Sequence, residues 1–268
     1  MNQILVKAKK AIWAAYRRNH SCPVSKDGYV CCPEDNLISS VHMADFKDDM
    51  DSGSGNELKG KFRALHSSAA LAVNNFAVWK RNLTDLSLCG RLGFTSLIFE
   101  RKCSTGLGGT PPNLDVFLES NFCVIAVESK FLEYLTPKRG HFSSSYNREK
   151  LPQAEDAWLH LIERIKKQPK QHLDMAQLVK HYLGLRNLSQ ESRIEIILLY
   201  LFWEPENWID FDVFHQHRKE IAAFSSYIEK SSIRFIAQSY PELWTEWKNH
   251  HGDTDHICSL LSRYQLTI

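Results

Sequence analysis

The sequence predicts an α/β fold, a mixed β-sheet flanked by helices and followed by a helical C-terminal region. Three observations predict it. FTSLIFERK (94–102), NLDVFLE (113–119) and CVIAVESKF (123–131) are three successive segments rich in β-branched and aromatic residues, joined by turn-rich links. RIEIILLYLFW (193–203) is continuously apolar, as a strand buried on both faces is. Segments with apolar residues at helical spacing lie before, between and after these strands. That order suits a mixed sheet with helices on its faces. It requires no more than one domain over 1–268, with a core at about 57–205, an N-terminal helix at 2–19 and the helical region at 206–268.

The first helix carries Ile4, Ala8, Ile12, Trp13 and Tyr16 at helical spacing. It is basic and amphipathic without a continuous apolar stretch, so it reads as a surface helix; a mitochondrial presequence shares that character. Residues 20–56 read as irregular, broken by Pro23, Gly28 and Pro33, and KDDMDSGSGN at their end reads as a loop. A helix is expected from about Glu57 to Trp79, with Phe62, Leu65, Ala69, Ala72, Val73 and Phe76 on one face. The three strand segments then form an antiparallel meander. A polar loop (136–152) precedes a helix at 154–168 ended by Pro169, and another at 173–183 closed by Gly184. Pro205 and the preceding helix favour a strand over a helix for the apolar run. Helix 210–229, a strand at 232–238 and short helices at 241–249 and 254–264 complete the chain, whose late tryptophans (Trp203, Trp208, Trp244, Trp247) read as core.

Composition excludes little. With 33 basic and 31 acidic residues the formal charge is only +2, so a nucleic-acid surface would have to come from local segregation of charge. No apolar run approaches the ~20 residues that span a bilayer, and no membrane partner is expected. Seven cysteines without a regular framework suit a reducing compartment, here the cytoplasm. His20, Cys22, Cys31 and Cys32 raise a zinc reading, but adjacent cysteines with an eight-residue gap to the nearest other one depart from the usual paired spacing. GLGG (106–109) lacks the lysine of a phosphate loop and reads as a turn.

The chemistry lies in the hairpin of the second and third segments. Strand alternation puts Asp115 and Phe117 on one face of the first, and Ala126, Glu128 and Lys130 on one face of the second. With a two- or four-residue connection, position 115 is expected opposite 126, which makes Asp115 and Glu128 diagonal neighbours on the same face; an odd connection separates them. Two carboxylates and one backbone carbonyl, that of Ser129, suit a hard cation such as Mg²⁺, with Mn²⁺ as a substitute. Lys130 lies on the same face and can hold an attacking water or steady a phosphate. Spacing alone fits equally well with surface charges at a strand end. The apolar VIAV before Glu128 favours the site, because a carboxylate at the edge of a buried strand needs a partner.

PPNLDVFL followed by VIAVESKF resembles the Pro-Asp…(Asp/Glu)-x-Lys pattern of the PD-(D/E)XK nuclease superfamily, and the element order resembles that superfamily's restriction-endonuclease-like core. GSGNELKGKFRALHSSAALAVNNF, IFERK, NLDVFLES and VESKFLEY are similar to a bacterial group of restriction endonucleases, well over 45–135 and loosely over 150–205. The resemblance implies Asp115, Glu128 and Lys130 as the core triad, with Glu57 as an assisting glutamate from the first core helix. Asp115 departs from the pattern in following Asn113-Leu114 and not a proline directly. The implied function is Mg²⁺-dependent endonucleolytic hydrolysis of double-stranded DNA in restriction or defence. Two other readings stay open, a non-catalytic nucleic-acid-binding module with the same fold and a protein-interaction domain. Many nucleases that cut both strands act as dimers, so a homodimer belongs to the expectation.

Around this centre, Glu100 reads equally as a further metal-facing carboxylate and as a solvent charge. Glu133 reads mainly as a surface residue, and Ser67 and Ser68 as local helix donors. Lys138, Arg139, His141, Arg148 and Lys150 follow the Glu-x-Lys strand and suit phosphate contacts, or a solvated loop.

Overall fold

A computed structural model describes residues 2–53, 56–188 and 194–268. Five strands, β1 (Ser96–Lys102), β2 (Asn113–Glu119), β3 (Cys123–Lys130), β4 (Glu195–Phe202) and β5 (Ile233–Ser239), make one sheet in that order. β1, β2 and β3 pair antiparallel as the expected meander, while β4 and β5 add in parallel. The sheet is therefore mixed, as the sequence predicts. β4 is flanked by two parallel neighbours and is buried along almost its whole length, which accounts for its unbroken apolar run. Arg193, the first residue of the expected strand, lies outside the described residues.

Helices cover both faces. On one, α5 (Met175–Leu188) and α6 (Asp212–Tyr227) meet the side chains of Glu128, Lys130 and Tyr200; the Tyr200 hydroxyl lies 2.9 Å from His217 Nε2. α4 (Asp156–Lys167) packs beside them, its Trp158 stacked on Tyr182 at 3.9 Å. On the other face, α3 (Ser68–Phe76) and α7 (Tyr240–His251) are tied together by Trp244 Nε1 donating to Asn75 Oδ1 at 2.6 Å. α1 (Gln3–Asn19) buries Ala8, Ile12, Ala15 and Tyr16, and α8 (Asp255–Tyr264) holds it through Arg263 Nη1 donating to the Ile12 carbonyl at 3.2 Å. Trp203, Trp244 and Trp247 are core and Trp208 is half-buried. Among the described residues no helix is long and apolar enough to cross a membrane.

Three local expectations need correction. Part of KDDMDSGSGN is a short helix, α2 (Lys47–Ser52), and not a loop. Buried Phe46 and Met50 anchor it, and Asp49 Oδ2 accepts from the Phe99 amide at 2.9 Å and from Lys80 at 2.7 Å. Ser54 and Gly55 lie outside the described residues.

The helix expected over 57–79 shrinks to α3, with single 3-10 turns at Lys61–Arg63 and Ala77–Arg81. Its upstream carbonyls are taken elsewhere. Asn36 Nδ2 donates to Phe62 O at 2.7 Å and Ala64 O at 2.9 Å, and the Val30 amide donates to Arg63 O at 3.0 Å. Ser67 then opens the helix, its hydroxyl accepting from the Ala70 amide at 3.2 Å. Glu57 consequently sits in a turn and not on the first core helix.

Gly184 does not close the helix at 173–183; α5 runs through it to Leu188. A Cβ at Gly184 would lie 2.7 Å from the Cys103 carbonyl oxygen and 2.8 Å from Cys103 Cβ, so glycine serves close approach to the chain beyond β1. Gly184→Ala should therefore cost about 1–3 kcal/mol through overpacking, read as a lowered urea midpoint; an unchanged midpoint would show that contact to be slack.

Two buried histidines give a second expectation. Burial holds His217 down to about 3 and His256 down to about 4. Unfolded histidine titrates near ~6.5, so between these values the unfolded chain binds more protons than the folded one. Stability should fall as pH falls through that window, by about 1.4 kcal/mol per pH unit for each histidine. Urea unfolding from pH 7 to 4.5 measures the slope, and His217→Gln should remove about one proton's worth; a variant with the wild-type slope contradicts the assignment.

Candidate active site

The hairpin link sets the geometry. Ser120 donates its amide to the Cys123 carbonyl at 2.9 Å, and its hydroxyl accepts from the amides of Phe122 (3.2 Å) and Cys123 (3.0 Å). Glu119 pairs with Val124 across this four-residue link, Phe117 with Ala126 and Val116 with Val127. One further step places Asp115 opposite Glu128. The sequence expectation of 115 opposite 126 is thus two residues out of register, although the shared face it inferred is right. The carboxylates are direct and not diagonal cross-strand neighbours.

Glu128 is 1% exposed at the end of an apolar run, and its partners come from its own strand and from α5. Its Oε1 pairs with the Lys130 ammonium, and its Oε2 lies 2.6 Å from His181 Nε2. A carboxylate only accepts, so Nε2 carries the proton in that bond. Lys130 Nζ also donates to Gln177 Oε1 at 2.8 Å. Burial opposes ionisation of Glu128, yet the charges of Lys130 and His181 outweigh it and hold the carboxyl down to about 2. Burial likewise disfavours the Lys130 ammonium, but Glu128, Asp115 and Glu133 hold it above its ordinary value.

Asp115 approaches from β2 and accepts the Ser129 amide proton on Oδ2 at 2.6 Å. Burial, then the charges of Glu128 and Glu100, push its carboxyl well above the usual range. Glu100 stands opposite position 115 on β1, between the pairs Phe99–Val116 and Arg101–Leu114. Its φ is 54°, a left-handed conformation that costs a non-glycine residue about 1–3 kcal/mol. Asn113 Nδ2 donates to Glu100 Oε2 at 2.9 Å. Burial raises the Glu100 carboxyl, with Glu57 and Glu128 adding to the effect, so Glu57 borders the cluster from its turn.

Ser129 is pinned from both sides of the sheet. Its hydroxyl, on the face away from Glu128, lies 2.7 Å from the Tyr240 hydroxyl and donates to the Ser68 carbonyl at 3.5 Å. Glu128 and Asp115 thus lie beside one ammonium, with Glu100 next to Asp115 and Glu57 next to Glu100. Asp115 and Glu100 each engage one oxygen with a neutral donor. This excess of negative charge on oxygen ligands fits a hard divalent cation such as Mg²⁺.

Of the outlying candidates, Lys138 and Arg139 are exposed, and Lys138 shares with Lys130 and Glu133 the lining of a cavity of ≈ 10 Å³. Arg148 is employed in the chain itself, bonding the Ala154 carbonyl at 2.6 Å and pairing with Asp156. Glu133 accepts from the Phe131 amide at 2.8 Å, and Ser67 caps α3. Sequence reasoning missed Gln177 and His181. Their signal was a helical i, i+4 pair, QLVKH, whose polar members face the same way inside an otherwise apolar segment.

Comparison with curated proteins and with solved structures found no match. Residues 7–265 match the family described as Restriction Endonuclease associating with ARP, a span that runs from within α1 to beyond α8 and takes in every acidic and basic member of the cluster. With nearly its whole length inside that match, the chain belongs to the Restriction Endonuclease associating with ARP family.

Proposed function

We propose that this chain is a metal-dependent endonuclease of the PD-(D/E)XK kind that hydrolyses phosphodiester bonds in double-stranded DNA, in restriction or another defence role. The observation that carries the reading is the meeting of Asp115, Glu128 and Lys130 on adjacent strands, with the Ser129 amide bonded to Asp115. Mg²⁺, with Mn²⁺ as a substitute, would be held by Asp115, Glu128 and the Ser129 carbonyl, and there supplies acidification of a water and neutralisation of charge on the phosphate.

The chain's own groups do the rest. Lys130 has three donors and, among the described residues, places two of them, on Glu128 and Gln177. The third can orient the attacking water or bond a phosphate oxygen as negative charge grows there. Gln177 and His181 act through their neighbours, the first fixing the ammonium and the second the Glu128 carboxylate. Glu57 and Glu100 add negative charge beside the cation. Lys138 and Arg139, exposed just beyond β3, supply backbone phosphate contacts that steer a duplex without reading its bases. A single centre cuts one strand, so a double-strand break requires a second copy of the chain or two successive events.

Cleavage of plasmid DNA should appear on titration with Mg²⁺ or Mn²⁺ and vanish with chelator. Asp115→Asn and Lys130→Ala should each lower the rate at least about 10²-fold, with RNA as the parallel substrate. Wild-type protein that binds DNA at low salt but never cuts it would make the chain a binding module; cleavage that survives chelation would remove the metal from the reaction.

His181→Ala should weaken Mg²⁺ binding or turnover by about 10–100-fold, the range for loss of a group behind a metal ligand. His181→Asn, which keeps a donor, should recover part of it. Equal rates and equal metal affinity in both variants and the wild type would show that histidine to be packing only.

A further inference from the structure

Cys22, Cys31 and Cys32 stand at a sequence spacing foreign to the usual zinc pattern, but folding brings two of them together. Val24 and Val30 pair as an antiparallel bridge, closed by Gly28 donating to the Ser25 carbonyl at 2.9 Å with φ of 84°. The eight residues between Cys22 and Cys31 are thus folded into a hairpin, and both cysteines stand at its open end. A 3-10 turn at Pro33–Asn36 then brings Asp35 to the same place. The ligand atoms of Cys22, Cys31 and Asp35 all lie within 4.8 Å of one another.

We propose that Cys22, Cys31 and Asp35 form a binding site for a Zn²⁺-class divalent ion, separate from the carboxylate cluster. Two thiolates and a carboxylate are a borderline-soft donor set that selects zinc over magnesium. The Cys32 amide and thiol both donate to Asp35 Oδ2, at 3.1 and 3.0 Å, and fix the carboxylate's direction as a supporting shell does for a metal ligand. Cys31 is exposed and Cys22 half-buried, so an ion has a path in and water completes the tetrahedron. The three thiols in this segment are free, with no disulfide to consume them.

The site's effect is structural. An ion there would clamp the 22–31 hairpin to the turn that ends in Asn36. That buried side chain orders the Phe62–Ala64 backbone and accepts from Arg263 at 3.1 Å. Losing the ion should loosen the N-terminal region and lower the melting temperature without touching the carboxylate cluster.

The test loads the full chain with Co²⁺ or Zn²⁺, dialyses it and measures retained metal and spectra. About one equivalent should remain, with a thiolate-to-cobalt band in the near ultraviolet. Cys22→Ser combined with Cys31→Ser should lose band and metal, while Cys89→Ser and Asp115→Asn keep both. Retention of the band in Asp115→Asn separates this site from the proposed catalytic one. No retained metal in the wild type, a cobalt spectrum without a thiolate band, or a Cys22–Cys31 disulfide found by mass in freshly purified protein overturns the proposal. The wild-type cobalt spectrum decides the matter even where the double variant folds poorly.

Discussion

The register of the β2–β3 hairpin governs where every charge of the acidic cluster can stand. Side chains alternate between faces, so a slip of one residue would send Asp115 to the face lined by Ser129 and away from Glu128 and Lys130. Ser120 holds the register through a turn in which its amide donates and its hydroxyl accepts twice. Asp115 itself adds a lock by taking the Ser129 amide in place of a backbone carbonyl.

Gathering carboxylates at the rim of a buried sheet is unfavourable, and the fold offsets that penalty unevenly. Glu128, the most enclosed, is fully matched by Lys130 and His181. Asp115 and Glu100 are bonded by neutral donors, and burial, with neighbouring carboxylates adding to it, drives both toward protonation. Strain sits beside them in the positive φ of Glu100, in the middle of a strand where β-geometry is otherwise regular. Charge excess and backbone strain coincide at one spot, and the proposed cation would relieve the first and give the second a purpose.

The second half of the chain is built to hold this arrangement. α5 delivers Gln177 and His181 one turn apart, and Gly184 further along lets the helix press against Cys103. On the far face, Tyr240 of α7 and the Ser68 carbonyl of α3 brace Ser129. Asn36 plays the corresponding part near the N-terminus. Its side chain bonds the backbone at 62 and 64 and accepts from Arg263, while its carbonyl accepts from Asn74, so α3 and α8 are joined to the first loop.

The strands, the β1–β3 meander and the face shared by Asp115, Glu128 and Lys130 were legible in the sequence, because period-two alternation and β-branched runs are local signals. β2 and the start of β3 fall where composition places them, and β4's unbroken apolar run follows from burial on two sides. The true limits of α3, the helical state of 47–52 and the passage of α5 through Gly184 were not legible. Each depends on a distant partner, Asn36 and Val30 for the first, Phe99 and Lys80 for the second, Cys103 for the third. Gln177 and His181 acquire meaning only where α5 lands on β3, and Cys22 and Cys31 only once a hairpin closes the chain between them. Sequence by itself determined which residues share a face on β2 and on β3, since that needs only the backbone's own period. Tertiary structure alone decided which side chains meet, since contacts between residues far apart in the chain are set by packing and not by spacing.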